Sequence, residues 1–288
     1  MKTIASLILM LALLTIAGCD DDDTTVVEPG DLAPPLGLHS ITGDEAVTLF
    51  WWCSNYDDDL VGFKVYSAEG EPAGGSLQEV PASFTLSDSL EMSTPCNSQV
   101  QMDVEGLTNG TTYTFLVVAA KGDWSDISHT SNLIEDTPRS ESAVHTTLNA
   151  HQIDPTTAGY EVSTFERVDC STLDQDYNTD SGLGDIMCER FDPGAGMRAW
   201  IDGINGAAVQ DMGYMQDWDD ADAAPTGGYA SAGHSVEAIL GHVYAIWTAD
   251  DNYAKIQVTE IDQEGPDAWI RVKCAYQPQV GNRELGWE

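Results

Sequence analysis

The chain has 288 residues, with 48 acidic against 11 basic side chains and a formal charge of −37 at neutral pH. That charge repels phosphate backbones and anionic lipid head groups, which excludes nucleic acid as a partner and favours cations, basic proteins or neutral ligands. Hydrophobic residues make up 42% of the chain, with 8 Trp and 10 Tyr, so there is material for packed cores rather than an acidic disordered polymer.

The chain opens on Lys2, an apolar run from Ile4 to Ile16, and the tetrad Ile16-Ala17-Gly18-Cys19. A charged start, a short apolar stretch and small residues before a cysteine resemble the lipobox of bacterial lipoproteins. The resemblance implies cleavage after Gly18 and acyl chains on Cys19, so residues 1–18 are expected to be a signal peptide. The run is shorter than the roughly 20 residues that span a bilayer, and no later run is long enough either. The expected location is the bacterial cell envelope, by a lipid anchor, with the outer membrane or cell surface favoured over the inner membrane. All 48 acidic residues follow Cys19 and only Lys2 of the 11 basic ones precedes it; from Cys19 on, 10 bases face 48 acids, a charge of −38. Residues 19–32, with Asp20 to Asp23 and Pro29-Gly30, read as an extended acidic tether.

From Ala33 the pattern predicts strands. Val47, Leu49 and Trp51 alternate with Thr48, Phe50 and Trp52; Gly62 to Tyr66, Val100 to Val104 and Tyr113 to Ala119 follow, with a turn at Asn109-Gly110. Pro34-Pro35-Leu36-Gly37-Leu38, Trp51, Asp59-Leu60 with Gly62-Phe63 and Val65-Tyr66, and Leu107 through Asn109-Gly110-Thr111 to Tyr113, in that order, resemble a fibronectin type III domain over residues 33–139. The resemblance implies a β-sandwich with Trp51 in its core and Tyr113 as the tyrosine corner. Phe50 and Trp52 point away from Trp51 and are expected to be covered by sheet edges or the neighbouring domain. In the implied topology the strand ending at Cys53 meets the one starting near Cys96, so a Cys53–Cys96 disulfide is expected.

Residues 140–288 read as a second all-β domain, with strands over Gly159–Val168, Leu183–Phe191, Met197–Ile204, Ala208–Met215, Val243–Thr248, Tyr253–Ile261 and Ala268–Tyr276. Asn205-Gly206 and Asp251-Asn252 predict hairpin turns. The segment from Val243-Tyr244 through Thr248, Asp250 and Tyr253-Ala254-Lys255 to Val258, with Ala275-Tyr276-Gln277 further on, resembles the HmuY-type haem-binding lipoproteins, best over residues 240–285. Members of that family are all-β lipoproteins, and haem capture there uses two histidines. His234 and His242 lie near the matching hairpin and are the haem-ligand candidates. Lys255 is expected to pair with an acid, in a structural role.

Asp174, Asp176, Asn178 and Asp180 place oxygens at alternate positions, and Asp185 falls at the twelfth position of the same loop. The run resembles part of an EF-hand loop and is the candidate calcium site; Thr179 stands where that motif needs glycine. Cys170 and Cys188 bracket this loop and are expected to clamp a hairpin as a second disulfide. Cys274 reads as a buried free thiol, with a Cys188–Cys274 pairing left open. Nucleophile-elbow, zincin, phosphate-loop and Cys-x-x-Cys motifs are missing. The expected function is therefore non-catalytic: a lipid-anchored binding, adhesion or display protein whose ligand is a protein, glycan or small molecule. Haem or metal capture by the second domain, and an accessory or enzymatic role in extracellular polysaccharide breakdown, are the alternatives.

Overall fold

The computed structural model describes residues 32–55, 58–70, 74–92, 96–192, 194, 197–263 and 268–286. Cys19 and the acidic run after it lie outside the described residues. As expected, the chain is all-β: the described residues form strands and two short 3-10 turns. Among them no helix is long and apolar enough to cross a membrane.

The first half holds β1 (Leu36–Thr42), β2 (Ala46–Asn55), β3 (Leu60–Glu69), β4 (Thr85–Glu91), β5 (Cys96–Glu105), β6 (Tyr113–Lys121), β7 (Asp126–Ile127) and β8 (Ile134–Asp136). They make two antiparallel sheets, β1-β2-β5 and β4-β3-β6-β7, with β8 also on β6. Side chains alternate across a strand, so β2 sends Val47, Leu49, Trp51 and Cys53 inward. Trp51 meets Phe63 of the facing sheet edge-on, with ring centroids 5.3 Å apart. A fully buried side chain such as Phe63 contributes roughly 2–3 kcal/mol. The Tyr113 hydroxyl accepts the Thr108 backbone N–H at 3.2 Å, tying the turn before β6 to its first residue. On the outward side of β2, Phe50 stacks on His39. Trp52 is 46% exposed, so the expected cover over it is not there. β6 is buried on both faces, because Leu116 and Val118 pack against Phe84 and Leu133 in a second apolar layer.

The second half holds β9 (Ser140–Glu141), β10 (Thr146–Asn149), β11 (Gly159–Glu161), β12 (Glu166–Val168), β13 (Ile186–Phe191), β14 (Arg198–Gly203), β15 (Ala208–Tyr214), β16 (Val236–Glu237), β17 (His242–Trp247), β18 (Tyr253–Asp262) and β19 (Trp269–Gln277). One sheet runs β10-β19-β18-β17-β15, with β9 on β19; the other runs β12-β11-β13-β14-β16. Tyr160, Ile186, Ile201, Tyr244, Ile256 and Ile270 close the core between them. Asp251-Asn252 turns the β17–β18 hairpin as expected, with Trp247 opposite Tyr253. Asn205-Gly206 does not make a hairpin. Both residues have the positive φ that such a turn needs (50° and 89°), but β14 and β15 belong to different sheets, so the turn carries the chain across the core.

Candidate functional site

The cysteines divide by topology. Cys53 and Cys96 form a disulfide, Cα atoms 5.7 Å apart, joining the end of β2 to the start of β5. The expected Cys170–Cys188 disulfide is absent, and both thiols are free and buried, as is Cys274. Cys170 follows β12 and Cys188 sits in β13, with β11 between those two strands. The two thiols also lie on opposite faces of that sheet: Cys170 packs with Met187 on the outside, Cys188 with Ile201 in the core. Cys188 meets the backbone at Ile270, whereas Cys274 lies four residues further along β19, about 13 Å away, so that pair is not formed either. Burial pushes the Cys170 thiol up to about 11 and the Cys188 thiol up to about 12, which leaves both as unreactive thiols.

The acidic loop does not gather around a cation. An oxygen of Asp174 accepts the backbone N–H groups of Asp176 and Asn178, so it caps its own turn. Asp176 and Asp180 are exposed, while Asp185 is buried and accepts the Val162 N–H at 3.0 Å. Among the described residues no group of three or more His, Cys, Asp or Glu side chains converges as a metal site requires. The calcium expectation for Asp174, Asp176, Asn178, Asp180 and Asp185 is thus not met: a spacing that repeats along the chain becomes a ligand shell only if the loop wraps, and this loop spreads over the outside of the β11–β13 sheet, with Leu173 and Tyr177 on Met187.

That spreading builds a cleft of about 490 Å³ between edge strand β12 and the loop. Val168 and Leu183 give it apolar walls, Glu161, Glu166, Asp169 and Asp180 supply carboxylates, Arg167 is its cation, and threonine and serine hydroxyls complete it. Leu183 is 57% exposed. Glu161 is held in place, accepting the Gly184 N–H at 2.9 Å and the Ser163 hydroxyl at 2.7 Å. Behind it, burial pushes Asp185 up to about 7, with the charge of Glu161 adding to the effect. Of the two, only Glu161 faces the cleft. The sequence reading missed Glu161, Arg167 and Leu183; the one local signal was a leucine between Gly182 and Gly184 in a polar loop.

The seating of β12 depends on a glycine. A Cβ at Gly159 would lie 2.5 Å from Cys170 Sγ and 2.9 Å from the Val168 carbonyl. Gly159→Ala is expected to cost about 1–3 kcal/mol through overpacking. A lowered urea midpoint at unchanged slope checks this; an unchanged midpoint contradicts it.

The histidines are not brought together. His234 is exposed and contacts Ser231 in its own loop, whereas His242 pairs with Asp211 on β15 at 3.0 Å. Neither lines the cleft. His234 and His242, the haem-ligand candidates, are thus held by different segments, one by its own loop and the other by β15. The hairpin residues that carry the family resemblance are spent on the fold. Asn252 takes the Thr248 hydroxyl as acceptor for its N–H and donates to the Gln277 carbonyl, and Gln277 donates to the Thr137 carbonyl.

Lys255 has the expected acid partner, in a buried joint between the sandwiches. Its ammonium donates to the Trp218 carbonyl at 2.9 Å, lies 3.6 Å from Asp219 and sits over the Trp218 ring. Lys273 meets the same ring at 4.3 Å. Arg139, fully buried, bridges Glu141 (2.9 Å), Asp219 (3.2 Å) and the Thr42 carbonyl of β1. Burial, with Arg139 alongside, lowers Lys255 to about 6. On the other side of the joint, the Thr42 hydroxyl lies 2.8 Å from both Asp136 and Glu284. Burial and the neighbouring Glu284 charge hold Asp136 well above the usual carboxylate range. A backbone bond from the Thr42 N–H to the Gly286 carbonyl completes the joint.

No protein-family model matches the chain, and no curated protein is significantly similar to it in sequence.

Proposed function

We propose that the chain is a non-catalytic, lipid-anchored binding protein of the bacterial cell envelope, held at the outer membrane or cell surface through acylated Cys19. A fibronectin type III spacer, residues 33–139, carries a second sandwich that presents the binding end. The strand order β1-β2-β5 against β4-β3-β6 and the Tyr113–Thr108 hydrogen bond support the spacer reading. The observation that carries the binding reading is the cleft beside β12, where apolar walls, an exposed leucine and several polar side chains meet in a volume suited to a small ligand. The acidic surface disfavours nucleic acid as that ligand.

The anchor is tested by fractionating cells that express the wild type and Cys19→Ala. The wild type is expected in the membrane pellet, released by detergent but not by salt, because acyl chains hold it. Cys19→Ala is expected to leave the detergent-extractable pool. A wild type released by salt alone, or a Cys19→Ala protein that behaves like the wild type, contradicts the lipid anchor.

A further inference from the structure

We infer that the β12 cleft takes an organic cation, a molecule with a protonated amine on a compact apolar body; this rests on the reading of the cleft as the binding end. Two independent features lead there. The first is apolar: Val168 and Leu183 line the cleft, and Leu183 stands 57% exposed in a polar loop, outside the buried cores. An apolar wall of this kind takes up the flat or aliphatic body of a ligand and contributes with the area it removes from water.

The second feature is the sign of the field. Glu161, Glu166, Asp169 and Asp180 line the same space, against Arg167 alone. Hydrogen bonds from Thr156 and Thr157 hold the Asp154 carboxyl, outside the cleft lining, below its usual range, and the charge of Arg167 adds a smaller part. Glu161 is the best-placed of the acids. Its carboxylate is fixed by a backbone N–H and a hydroxyl, and those bonds hold it ionised below the usual carboxylate range despite its burial. A fixed, ionised, half-buried carboxylate beside apolar surface is a preformed partner for an ammonium, and it needs no reorganisation on binding. An anionic ligand meets the opposite field, strengthened by the charge of the whole chain. The volume of about 490 Å³ suits a ligand of one or two rings.

The experiment uses the chain from Asp20, isotopically labelled, and follows backbone amide signals of Val168, Leu183 and Gly184 by NMR. Three probes share one body and differ in charge: tryptamine, its neutral alcohol analogue tryptophol, and indole-3-acetate. Tryptamine is expected to shift these signals saturably, with a dissociation constant at least tenfold below that of tryptophol, and indole-3-acetate to leave them unmoved. Glu161→Gln is expected to bring tryptamine to the tryptophol level. Asp180→Asn, an exposed site whose change leaves the fold intact, is expected to weaken tryptamine severalfold and leave tryptophol unchanged. Equal binding of tryptamine and tryptophol, or tryptamine binding that ignores both substitutions, overturns the cation inference while leaving the cleft as a binding site. No shift with any of the three overturns both the cation inference and the cleft reading.

Discussion

Arg139→Ala is expected to lower the thermal unfolding midpoint of the chain by about 10 °C. The guanidinium is fully buried and satisfies Glu141, Asp219 and the Thr42 carbonyl together. Removing one partner from such a buried network costs about 3–5 kcal/mol; here the Thr42 carbonyl loses its buried donor, and Glu141 and Asp219 keep only the longer contacts to Lys273 and Lys255. In a chain of this size each kcal/mol moves the midpoint by roughly 2–4 °C. Arg139→Lys keeps the charge but lacks the fork that reaches two carboxylates and a carbonyl at once, so it is expected to recover only part of the loss. A shift below about 2 °C in Arg139→Ala would mean that the joint contributes little and that the two sandwiches are held by other contacts.

The second large effect belongs to the first sandwich. Replacing Cys53 and Cys96 together with alanine is expected to cost about 4 kcal/mol, the chain-entropy value for a loop closed over 43 residues. Both sulfurs lie in the core beside Trp51, so the loss includes some packing as well as the cross-link. Urea unfolding of the double variant against the wild type measures it, and the same samples give a thiol count. In the chain from Asp20 the wild type is expected to show three titratable thiols, reactive only after denaturation, since Cys170, Cys188 and Cys274 are buried. Five reactive thiols under non-reducing conditions, or a variant as stable as the wild type, contradicts the disulfide assignment.

Much of the fold was legible because strand alternation is a local signal. Val47, Leu49 and Trp51 point to one side whatever the rest of the chain does, and they are the residues that fill the first core. Most strands from Leu183 to Tyr276 were legible for the same reason, whereas the expected strand Gly159–Val168 turns back on itself after Glu161 and forms the β11–β12 hairpin. What alternation does not carry is which sheet a strand joins. Asn205-Gly206 has the backbone of a hairpin turn, yet β14 and β15 separate, because each extends the apolar face of a different sheet. The Cys170–Cys188 expectation failed on a similar point: the partner strand β11 precedes both cysteines and slips between their strands. The joint was beyond reach, since Thr42, Asp136, Arg139, Asp219, Lys255 and Glu284 are scattered across the chain and meet only in the folded structure. The acidic loop was visible as a feature but misread in role. Its oxygens serve its own turns, and its value lies in the wall it forms opposite β12.

The central claim is that the two sandwiches fold and move as one body across the buried joint. Calorimetric unfolding of the chain from Asp20 tests it most directly. The buried joint predicts a single transition whose calorimetric and van't Hoff enthalpies agree. Two resolved transitions, with Arg139→Ala leaving both in place, would show two sandwiches that fold and move independently and would contradict the account.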